Sequence, residues 1–575
     1  MLVMTVMLAA SVQQLTEEYL RENFRYSPTT ASQVGYHKDG VDRKLDDISA
    51  SARKKRVAYL RGLSKRLAAL DRGRLQPDDR ADARLLDENI ALELLELEKA
   101  HDFARRADLY MDGLGTIFFN MAVREYAPLD TRAADVAARL RELPRFLAQA
   151  QKNLDTFVEP FREAALDDGK GLLGFLQSDL PKAFEKSAGK PQIDAALPAA
   201  LKAVEAYLKF CEGPLQKLKK GDFRYGKELY GERFGHYLQT DLAPDETLAL
   251  AEKRLAEIRA DMVRLAGPLF QKNHPGRARP DGDTLVKAVL DDIAKEHSTP
   301  EQLFQDAKDD VAREREFIRR RGLLTLPPTE TIKVIETPPF LRSFYGVAAF
   351  DGAPPLQPEL GAFFYVTPFP RDWPREKAES KLREYNKWKM ELLAIHEAMP
   401  GHYVQYQIAN QIQPEYRRVA RWLLSSGAYV EGWAVFTEDL MTSSGYLDDP
   451  RMKLSFEKGI LRVVANTILD IRLHTRDMSD AEAMKLMVDS TFQEKTEAEL
   501  KLRRAKLSVT QLCTYFVGYE EWRSIRDAAK KAQGKAFVER AFLDRALRYG
   551  GVALPSLREL MLGTGGGADK APASP

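Results

Sequence analysis

Helical periodicity dominates this sequence and restricts the folds that are open to it. In stretches such as "ARLLDENIALELLELEKAHDFARR" and "AADVAARLRELPRFLAQAQKNLDTFVEPFREA", apolar residues recur three and four positions apart and charged residues occupy the other face. The pattern runs from residue 11 to residue 327 and is interrupted mainly at clusters of Pro and Gly. No repeat of fixed period is present, so the sequence predicts long packed helices and not a solenoid.

One shorter region has a different character. The segment "TETIKVIETPPFLRSFYGVAAFDGAPPLQPELGAFFYVTPFP" is rich in β-branched and aromatic residues and is divided by Pro and Gly. It predicts strands at Thr331–Ile335, Val347–Phe350 and Ala362–Thr367. Helical patterns return after this segment and continue to residue 562. The predicted fold class is therefore mainly α, with many helices and a small β-sheet ahead of the helix that carries the motif described below.

The length of 575 residues allows several domains or one large enzyme. We divide the chain into a possible signal remnant at 1–10, an N-terminal helical half at 11–328, a second half with the sheet at 329–562, and a tail at 563–575. The tail, "GTGGGADKAPASP", consists mostly of Gly, Ala, Pro and Ser. Because such a composition cannot build a core, we expect the tail to be disordered.

The apolar start, "MLVMTVMLAAS", allows two interpretations. It has no preceding Lys or Arg and is shorter than the roughly 18 to 20 residues that span a bilayer. If it is a truncated secretory signal, the protein is exported to the periplasm or secreted; if it is a buried N-terminal turn, the protein is cytoplasmic. No later stretch is apolar enough to predict a membrane span.

Charge and cysteine content exclude some classes of partner and ligand. The chain has 87 Lys and Arg residues against 85 Asp and Glu residues, so nucleic acid, which requires a basic surface, is not an expected partner. Cys211 and Cys513 are its two cysteines, too few for a thiolate zinc site. A bound metal would therefore be held by His and carboxylate side chains.

The segment "HEAMPGH" contains two histidines, His396 and His402, six positions apart. A spacing of four would place both on one helix face with the intervening Glu as a base, whereas six positions correspond to about 240° around a regular helix. Pro400 lacks the N–H that a helix needs there, and Gly401 can adopt unusual backbone angles. Looping out two residues would return His402 to the face of His396. Alternatively, the helix ends at Pro-Gly and the two histidines are unrelated.

A second helical stretch, "SSGAYVEGWAVFTEDLM", carries Glu431 and Glu438, which lie seven positions apart on one face. A zinc site of two histidines and one glutamate takes its carboxylate from a separate helix and keeps its fourth position open. We predict Glu431 as this ligand and Glu438 as the group that orients an imidazole. A solvated face is the alternative for both, but apolar neighbours such as Trp433 indicate burial, where an unpaired carboxylate is costly.

The motifs "HEAMPGH", "EGWAVFTEDL" and "QLCTYFVG" resemble the bacterial domain of unknown function 885 family, which is grouped with gluzincin-type zinc metallopeptidases. Weaker similarity in "YGKELYGERFGHYLQTDLAPDE" and "RELPRFLAQAQKNL" extends the resemblance over most of the chain. The resemblance implies a mainly helical peptidase for short peptides, enclosing a deep cleft and similar to angiotensin-converting-enzyme-like and oligopeptidase-like enzymes. Relatives are expected to have Pro-Gly ahead of Gln511, where this chain has Val509-Thr510. This departure leaves the local backbone unpredicted.

The implied reaction assigns a role to further residues. With Zn²⁺ held by the two histidines and Glu431, Glu397 would take a proton from water and deliver it to the leaving amine. The oxyanion needs another donor, and Tyr515 and Tyr519 are candidates because they lie four positions apart on one helical face. Ordinary aromatic packing is the alternative for both tyrosines.

The last predicted strand is a candidate for substrate binding. An exposed edge strand can pair with an extended peptide through main-chain hydrogen bonds. Ordinary sheet packing is equally compatible with the sequence. The residues that would form this edge are Ala362, Phe363, Phe364, Tyr365 and Val366.

Three rival classes have weaker support. A di-iron carboxylate protein needs paired Glu-x-x-His motifs, and the helical patterns contain a single one, Glu98 to His101. A structural zinc site normally has four protein ligands. An inactive peptide-binding protein on the same fold would be expected to lack Glu397 or a ligand. The prediction is therefore a zinc-dependent metallopeptidase of the carboxypeptidase, dipeptidase or oligopeptidase type, with an inactive peptide-binding protein as the alternative.

Overall fold

The computed structural model describes residues 11–337, 342, 347–369 and 373–563. It is mainly helical with two small sheets, which confirms the predicted fold class at this level. The possible signal remnant at 1–10 and the predicted tail from residue 564 onward lie outside the described residues. Within the described part of the chain, no helix combines the length and the hydropathy needed to cross a membrane.

The helices and strands are numbered along the chain. The first ten helices are α1 (Val12–Tyr26), α2 (Pro28–Gln33), α3 (Ala50–Ala68), α4 (Pro77–Leu95), α5 (Asp102–Arg105), α6 (Leu114–Val123), α7 (Leu129–Asn153), α8 (Glu159–Gly174), α9 (Leu180–Ala183) and α10 (Lys190–Glu212). The next seven are α11 (Gly226–Leu238), α12 (Pro244–Asn273), α13 (Gly282–Ile293), α14 (Leu303–Arg321), α15 (Arg375–Glu384), α16 (Lys387–Glu397) and α17 (His402–Ala409).

The remaining helices are α18 (Glu415–Leu423), α19 (Gly427–Ser443), α20 (Pro450–Thr475), α21 (Asp480–Lys485), α22 (Lys495–Leu507), α23 (Thr514–Gln533), α24 (Glu539–Arg548) and α25 (Leu554–Leu562). The strands are β1 (Thr156–Phe157), β2 (Lys219–Lys220), β3 (Ile332–Glu336), β4 (Ala348–Asp351) and β5 (Ala362–Val366). Strands β1 and β2 form a short parallel pair.

The chain forms two compact units. The first comprises the described residues of Met1–Phe223, together with Pro354–Leu360 and Asn410–Ser425. The second comprises the described residues of Arg224–Ala353, Gly361–Ala409 and Ser426–Pro575. The chain therefore first passes from one unit to the other after Phe223. The change of sequence character at residue 329 instead accompanies the start of the three-stranded sheet within the second unit.

The first unit has a core to which α1, α3, α4 and α18 contribute. Ser11 caps the start of helix α1, and its side chain accepts a hydrogen bond from the backbone N–H three residues later in a capping box. Leu15 and Leu60 are fully buried in this core. Beside it, Arg421 on α18 and Asp82 on α4 form a buried ion pair with a nitrogen–oxygen distance of 2.7 Å. The late segment that contains α18 is thus an integral part of the first unit.

The second unit contains the motif helices. Asn386 caps α16 by accepting hydrogen bonds from two backbone N–H groups, and Ser426 caps α19 in the same way with one. Helix α19 packs against α16 on one side and α23 on another. The crossing of α19 and α23 is close, because a Cβ atom on Gly432 would lie 2.4 Å from the backbone of Gly518. These two glycines let the helices approach at a distance that side chains would prevent.

The three-stranded sheet has the order β3-β5-β4, with β5 parallel to β3 and antiparallel to β4. Each strand lies within one residue of its predicted bounds at both ends. The predicted edge role of Ala362, Phe363, Phe364, Tyr365 and Val366 is wrong, because these residues form the central strand and are paired on both sides. Among the described residues, β3 and β4 form the edges of this sheet.

Candidate metal centre

The two motif histidines lie on either side of a sharp turn. Helix α16 ends one residue after His396, and α17 begins at His402. Pro400 cannot donate the bond that would continue α16, and the N–H of Gly401 instead donates to the Ile395 carbonyl oxygen at 2.9 Å. This bond spans six residues. The two residues by which the motif exceeds a four-residue spacing are therefore accommodated in the turn. The centroids of the two imidazole rings are 4.9 Å apart.

The turn requires glycine for a steric reason. A Cβ atom on Gly401 would lie 1.8 Å from the carbonyl oxygen of His396 and 2.4 Å from that of Ile395. No side chain fits at such distances. The Pro-Gly pair therefore has two separate functions: Pro400 ends the regular hydrogen bonding, and Gly401 allows the chain to pass directly against the end of α16.

Helix α19 holds this turn in place. The indole N–H of Trp433, which is fully buried, donates to the carbonyl oxygens of Pro400 at 3.1 Å and Gly401 at 3.2 Å. Trp433 lies two residues after Glu431 on the same helix. The "EGW" sequence thus supplies a carboxylate and also fixes the backbone between the two histidines.

Three side chains converge at one point. Oε2 of Glu431 lies 3.4 Å from Nε2 of His396 and 3.6 Å from Nε2 of His402. These distances exceed the 2.7–3.2 Å range of N–H···O hydrogen bonds. Two ligands that are each about 2.0–2.1 Å from a tetrahedral zinc ion are about 3.3–3.4 Å apart, which matches the observed spacing.

The donor set also fits zinc in its chemistry. The candidate ligand atoms of His396, His402 and Glu431 all lie within 4.8 Å of one another. Among the described residues, these three side chains make up the whole group of possible ligands at this point. Two imidazoles and one carboxylate are typical of a catalytic zinc site, in which one coordination position is left to water or substrate.

Glu438 orients one of the imidazoles. Its Oε1 lies 2.8 Å from Nδ1 of His396, so the opposite nitrogen of that ring is directed toward Glu431. Burial lowers the pKa of His396, but the carboxylates of Glu431 and Glu438 outweigh burial and raise it to about 10. Burial raises the pKa of Glu431, but the two histidines outweigh it and hold that pKa well below its usual value. The cluster therefore favours a positive charge at its centre.

Glu397 is the third carboxylate of the cluster. Burial raises the pKa of its side chain, and the positive charges of His396 and His402 only partly offset this effect. A buried carboxylate with a raised pKa beside a metal centre suits proton transfer, because its affinity for a proton lies closer to neutral pH.

His402 is held mainly by packing. Its Nδ1 atom is buried and has no hydrogen-bond partner among the residues that the structure describes. The ring of Phe350 on β4 stacks against the His402 imidazole at a centroid distance of 6.1 Å and an angle of 29°. The edge strand β4 therefore lies directly beside the candidate ligands.

The two candidate tyrosines have different surroundings. Tyr515 is partly exposed, and the negative charge of Glu431 is the largest influence that raises its pKa, followed by burial. Tyr519 is buried, and its hydroxyl donates to Asp439 Oδ2 at 3.0 Å. Tyr515 is thus within electrostatic range of Glu431, while the hydroxyl of Tyr519 is engaged by a different carboxylate.

Asp470, which was not among the residues predicted from the sequence, stabilises the turn just before α23. Asp470 on α20 is fully buried and accepts hydrogen bonds from the N–H groups of Thr510 at 3.0 Å and Leu512 at 3.1 Å. Thr510 has a φ of +66°, a conformation that favours glycine. The departure from Pro-Gly thus leaves the turn in a left-handed conformation, which Asp470 stabilises.

Together, the fold and this centre define a large, mainly helical protein with a candidate metal site of two histidines and one glutamate. The chain belongs to the family described as bacterial protein of unknown function (DUF885), whose model matches residues 28–561. This family membership confirms that part of the resemblance.

Two solved structures are similar to the chain. One is of a protein of unknown function from Shewanella oneidensis that is described provisionally as a lipoprotein: it is 28% identical, the match covers 96% of this chain and 100% of that one, and the TM-score is 0.83. The other is of a protein from Colwellia psychrerythraea, also described provisionally as a lipoprotein: it is 18% identical, the match covers 96% and 99% of the two chains, and the TM-score is 0.76. No curated protein matches the chain significantly.

Proposed function

We propose that this protein is a zinc-dependent, gluzincin-type metallopeptidase that hydrolyses peptide bonds in short peptides. The observation that carries the proposal is the convergence of His396, His402 and Glu431, whose candidate ligand atoms all lie within 4.8 Å of one another. Glu397, the residue required as a base, directly follows one of these ligands. A site for metal transport or storage would not need this base.

The roles of the residues follow from their positions. When bound, a zinc ion supplies polarisation of the scissile carbonyl and lowers the pKa of water. Glu397 accepts the proton of the attacking water and passes it to the leaving amine. Tyr515 donates a hydrogen bond to the developing oxyanion. Glu438 keeps His396 in the orientation and tautomer that present Nε2 to the metal.

The edge strand β4 supports a peptide as the substrate. It pairs with β5 on one side, and Phe350 in this strand contacts His402. An extended peptide that adds to the other side of β4 would pass the candidate metal centre with its backbone held by main-chain hydrogen bonds.

We also propose that the protein is exported. The support is the 28% identical protein from Shewanella oneidensis, which is described provisionally as a lipoprotein of unknown function. Detection of the protein in the periplasmic or membrane fraction of its own cells would agree with this proposal, and detection only in the cytoplasm would contradict it.

The proposed activity is tested by digestion of a mixed library of short peptides, with mass spectrometry as the readout. We expect cleavage by the zinc-loaded protein, loss of cleavage after chelation and recovery after zinc is added back. The Glu397→Gln variant should keep its zinc and lose turnover by roughly 100- to 10,000-fold or more, because the base is removed while the ligands remain. Normal turnover in this variant, or no cleavage by the zinc-loaded wild type, would refute the proposed mechanism.

A further inference from the structure

Arg504 on α22 is an exposed arginine whose side-chain partners are neutral. Its Nη2 donates to Oε1 of Gln511 at 2.9 Å and to the hydroxyl of Tyr515 at 3.4 Å. Among the described residues, no Asp or Glu forms an ion pair with its guanidinium. A guanidinium has a planar set of donors that matches a carboxylate, so an arginine held in place by neutral groups retains the capacity to bind one.

Neighbouring cations differ from Arg504 in this respect. On the same helix, Lys506 forms an ion pair with Asp480 at 2.7 Å. On α23, Arg523 forms an ion pair with Glu520 at 3.5 Å. Each of these two cations thus has a carboxylate partner, which Arg504 lacks among the described residues.

The position of Arg504 connects it to the candidate metal centre. Its guanidinium bonds to the hydroxyl of Tyr515 on α23, and α23 packs against α19, the helix that carries Glu431. The close crossing at Gly432 and Gly518 sets this arrangement, since Glu431 directly precedes the first glycine and Tyr515 lies one helical turn before the second. A ligand on the exposed side of Arg504 would thus be next to the proposed oxyanion donor.

A second cation on the same helix lies near Arg504. Lys501 lies one turn earlier on α22 and is buried, with its ammonium donating to Asn466 at 2.7 Å. Burial lowers the pKa of Lys501 well below its usual value, the positive charges of Arg462, Arg504 and Lys389 lower it further, and the carboxylate of Glu497 only partly opposes them. Arg504 is therefore close enough to Lys501 for the two positive charges to repel each other, and an anionic ligand at Arg504 would partly offset that repulsion.

We propose that Arg504 binds the C-terminal carboxylate of the peptide substrate, with Gln511 and Tyr515 holding its guanidinium in the required orientation. This inference rests on the proposed peptidase function and narrows it to removal of one or two residues from the C-terminus. One residue of extended chain spans about 3.3–3.6 Å. With the guanidinium one hydrogen bond away from the proposed oxyanion donor, there is room for one or two residues between the anchored carboxylate and the scissile bond.

The experiment compares matched peptides that differ only in a free or an amidated C-terminus. We expect the wild type to cleave the free acid with the higher kcat/KM. Arg504→Ala should lower kcat/KM for the free acid by roughly 10- to 100-fold, mainly through KM, and change that for the amide by less than about 3-fold, because charge-assisted hydrogen bonds are lost only for the acid. Arg504→Lys should recover part of the loss.

Lys495→Ala is the matched control, since it removes a cation from the same helix at a side chain that is 78% exposed. It should leave both peptides unaffected. Equal cleavage of acid and amide by the wild type, or an equal loss for both in Arg504→Ala at an unchanged thermal midpoint, would overturn the proposal. If Arg504→Ala lowers the thermal midpoint, Arg504→Lys becomes the test variant. Its ratio of kcat/KM for the acid to kcat/KM for the amide must then be smaller than that of the wild type.

A binding measurement separates this proposal from the peptidase proposal. Calorimetry with an N-acetylated dipeptide and its amide, on zinc-loaded Glu397→Gln protein, measures recognition of the carboxylate without turnover. If the acid binds tightly and Arg504→Ala, added to the Glu397→Gln protein, weakens that binding roughly 10-fold or more, the role of Arg504 is supported. This conclusion holds even if the wild type cleaves nothing. Equal binding of acid and amide refutes it even if the wild type is an active peptidase.

Discussion

At the scale of single residues, Glu431 and Glu438 show how two similar side chains receive different roles. Both lie on the same face of α19, yet Glu431 approaches Nε2 of both histidines and Glu438 contacts only Nδ1 of His396. One imidazole is therefore held from both of its nitrogens. A ligand role for Glu438 would require that ring to turn and break its contact with Glu431.

Trp433 is the residue whose removal should affect the centre most selectively. Trp433→Phe preserves most of the buried aromatic surface but removes the donor to the Pro400 carbonyl oxygen and one of the two donors to the Gly401 carbonyl oxygen. We expect the free energy of unfolding to fall by about 1–3 kcal/mol, and zinc affinity to fall by roughly 10- to 100-fold, because the ligands are less well oriented. Thermal unfolding and competition with a zinc chelator measure the two effects.

Trp388→Phe is the control for this prediction. Trp388 lies on α16, is also buried, and its indole N–H has no hydrogen-bond partner among the described residues. The same substitution there removes no hydrogen bond, so zinc affinity should stay within about 3-fold of the wild type. Equal losses of affinity in the two variants would show that the indole hydrogen bonds do not fix the turn.

At the scale of helices, the crossing of α19 and α23 determines how close Tyr515 comes to the ligands. A Cβ atom on Gly518 would lie 1.9 Å from the Ala428 carbonyl oxygen and 2.6 Å from Cα of Gly432. These contacts are with backbone, which cannot move aside as the end of a flexible side chain can. A substitution at this position must therefore separate the two helices.

Gly518→Ala should consequently reduce stability and turnover more than it reduces zinc content. We expect about 3 kcal/mol or more of destabilisation from overpacking, and a loss of turnover because Tyr515 moves away from the centre. Two of the three ligands are not on these helices, so zinc should still bind when measured below the unfolding temperature. Thermal unfolding, metal analysis and kcat on one preparation provide the comparison.

Gly231→Ala on α11 serves as its control. This glycine is also helical and belongs to the second unit, but a Cβ atom there would meet nothing within 4 Å. The substitution should stabilise the protein by up to about 1 kcal/mol, as expected for Gly→Ala inside a helix where the added methyl group meets no neighbour. An unchanged thermal midpoint and unchanged turnover in Gly518→Ala would mean that the helices tolerate a wider separation than the structure indicates.

At the scale of the whole molecule, the sequence predicts local features better than spatial pairing. The helical periods and the β-branched runs identify the elements, and the bounds of β3, β4 and β5 differ from prediction by at most one residue. The order of the strands was not predictable in this way, because it depends on contacts between segments far apart in the chain. For this reason β5, the last strand in sequence, could be taken for an edge although it is central.

In the candidate metal centre too, some residues could be predicted from local sequence and others could not. His396, Glu397 and His402 lie within one short motif, and the position of Pro400 and Gly401 in that motif already indicates that the helix must deform there. Arg504 and Asp470 had no comparable local signal. Helix α22, "KTEAELKLRRAKL", contains several cations, and its sequence does not tell which of them lacks a carboxylate partner. That information appears only when the neighbouring helices are in place.

Anomalous diffraction at the zinc absorption edge, from crystals of the zinc-loaded protein, locates the metal and its ligands directly. We predict one strong peak per chain, about 2.0–2.2 Å from Nε2 of His396, Nε2 of His402 and a carboxylate oxygen of Glu431. Glu438 should remain bonded to Nδ1 of His396. The absence of a peak between these three residues, or a peak coordinated by Glu438 in place of Glu431, would show that His396, His402 and Glu431 do not form the zinc site.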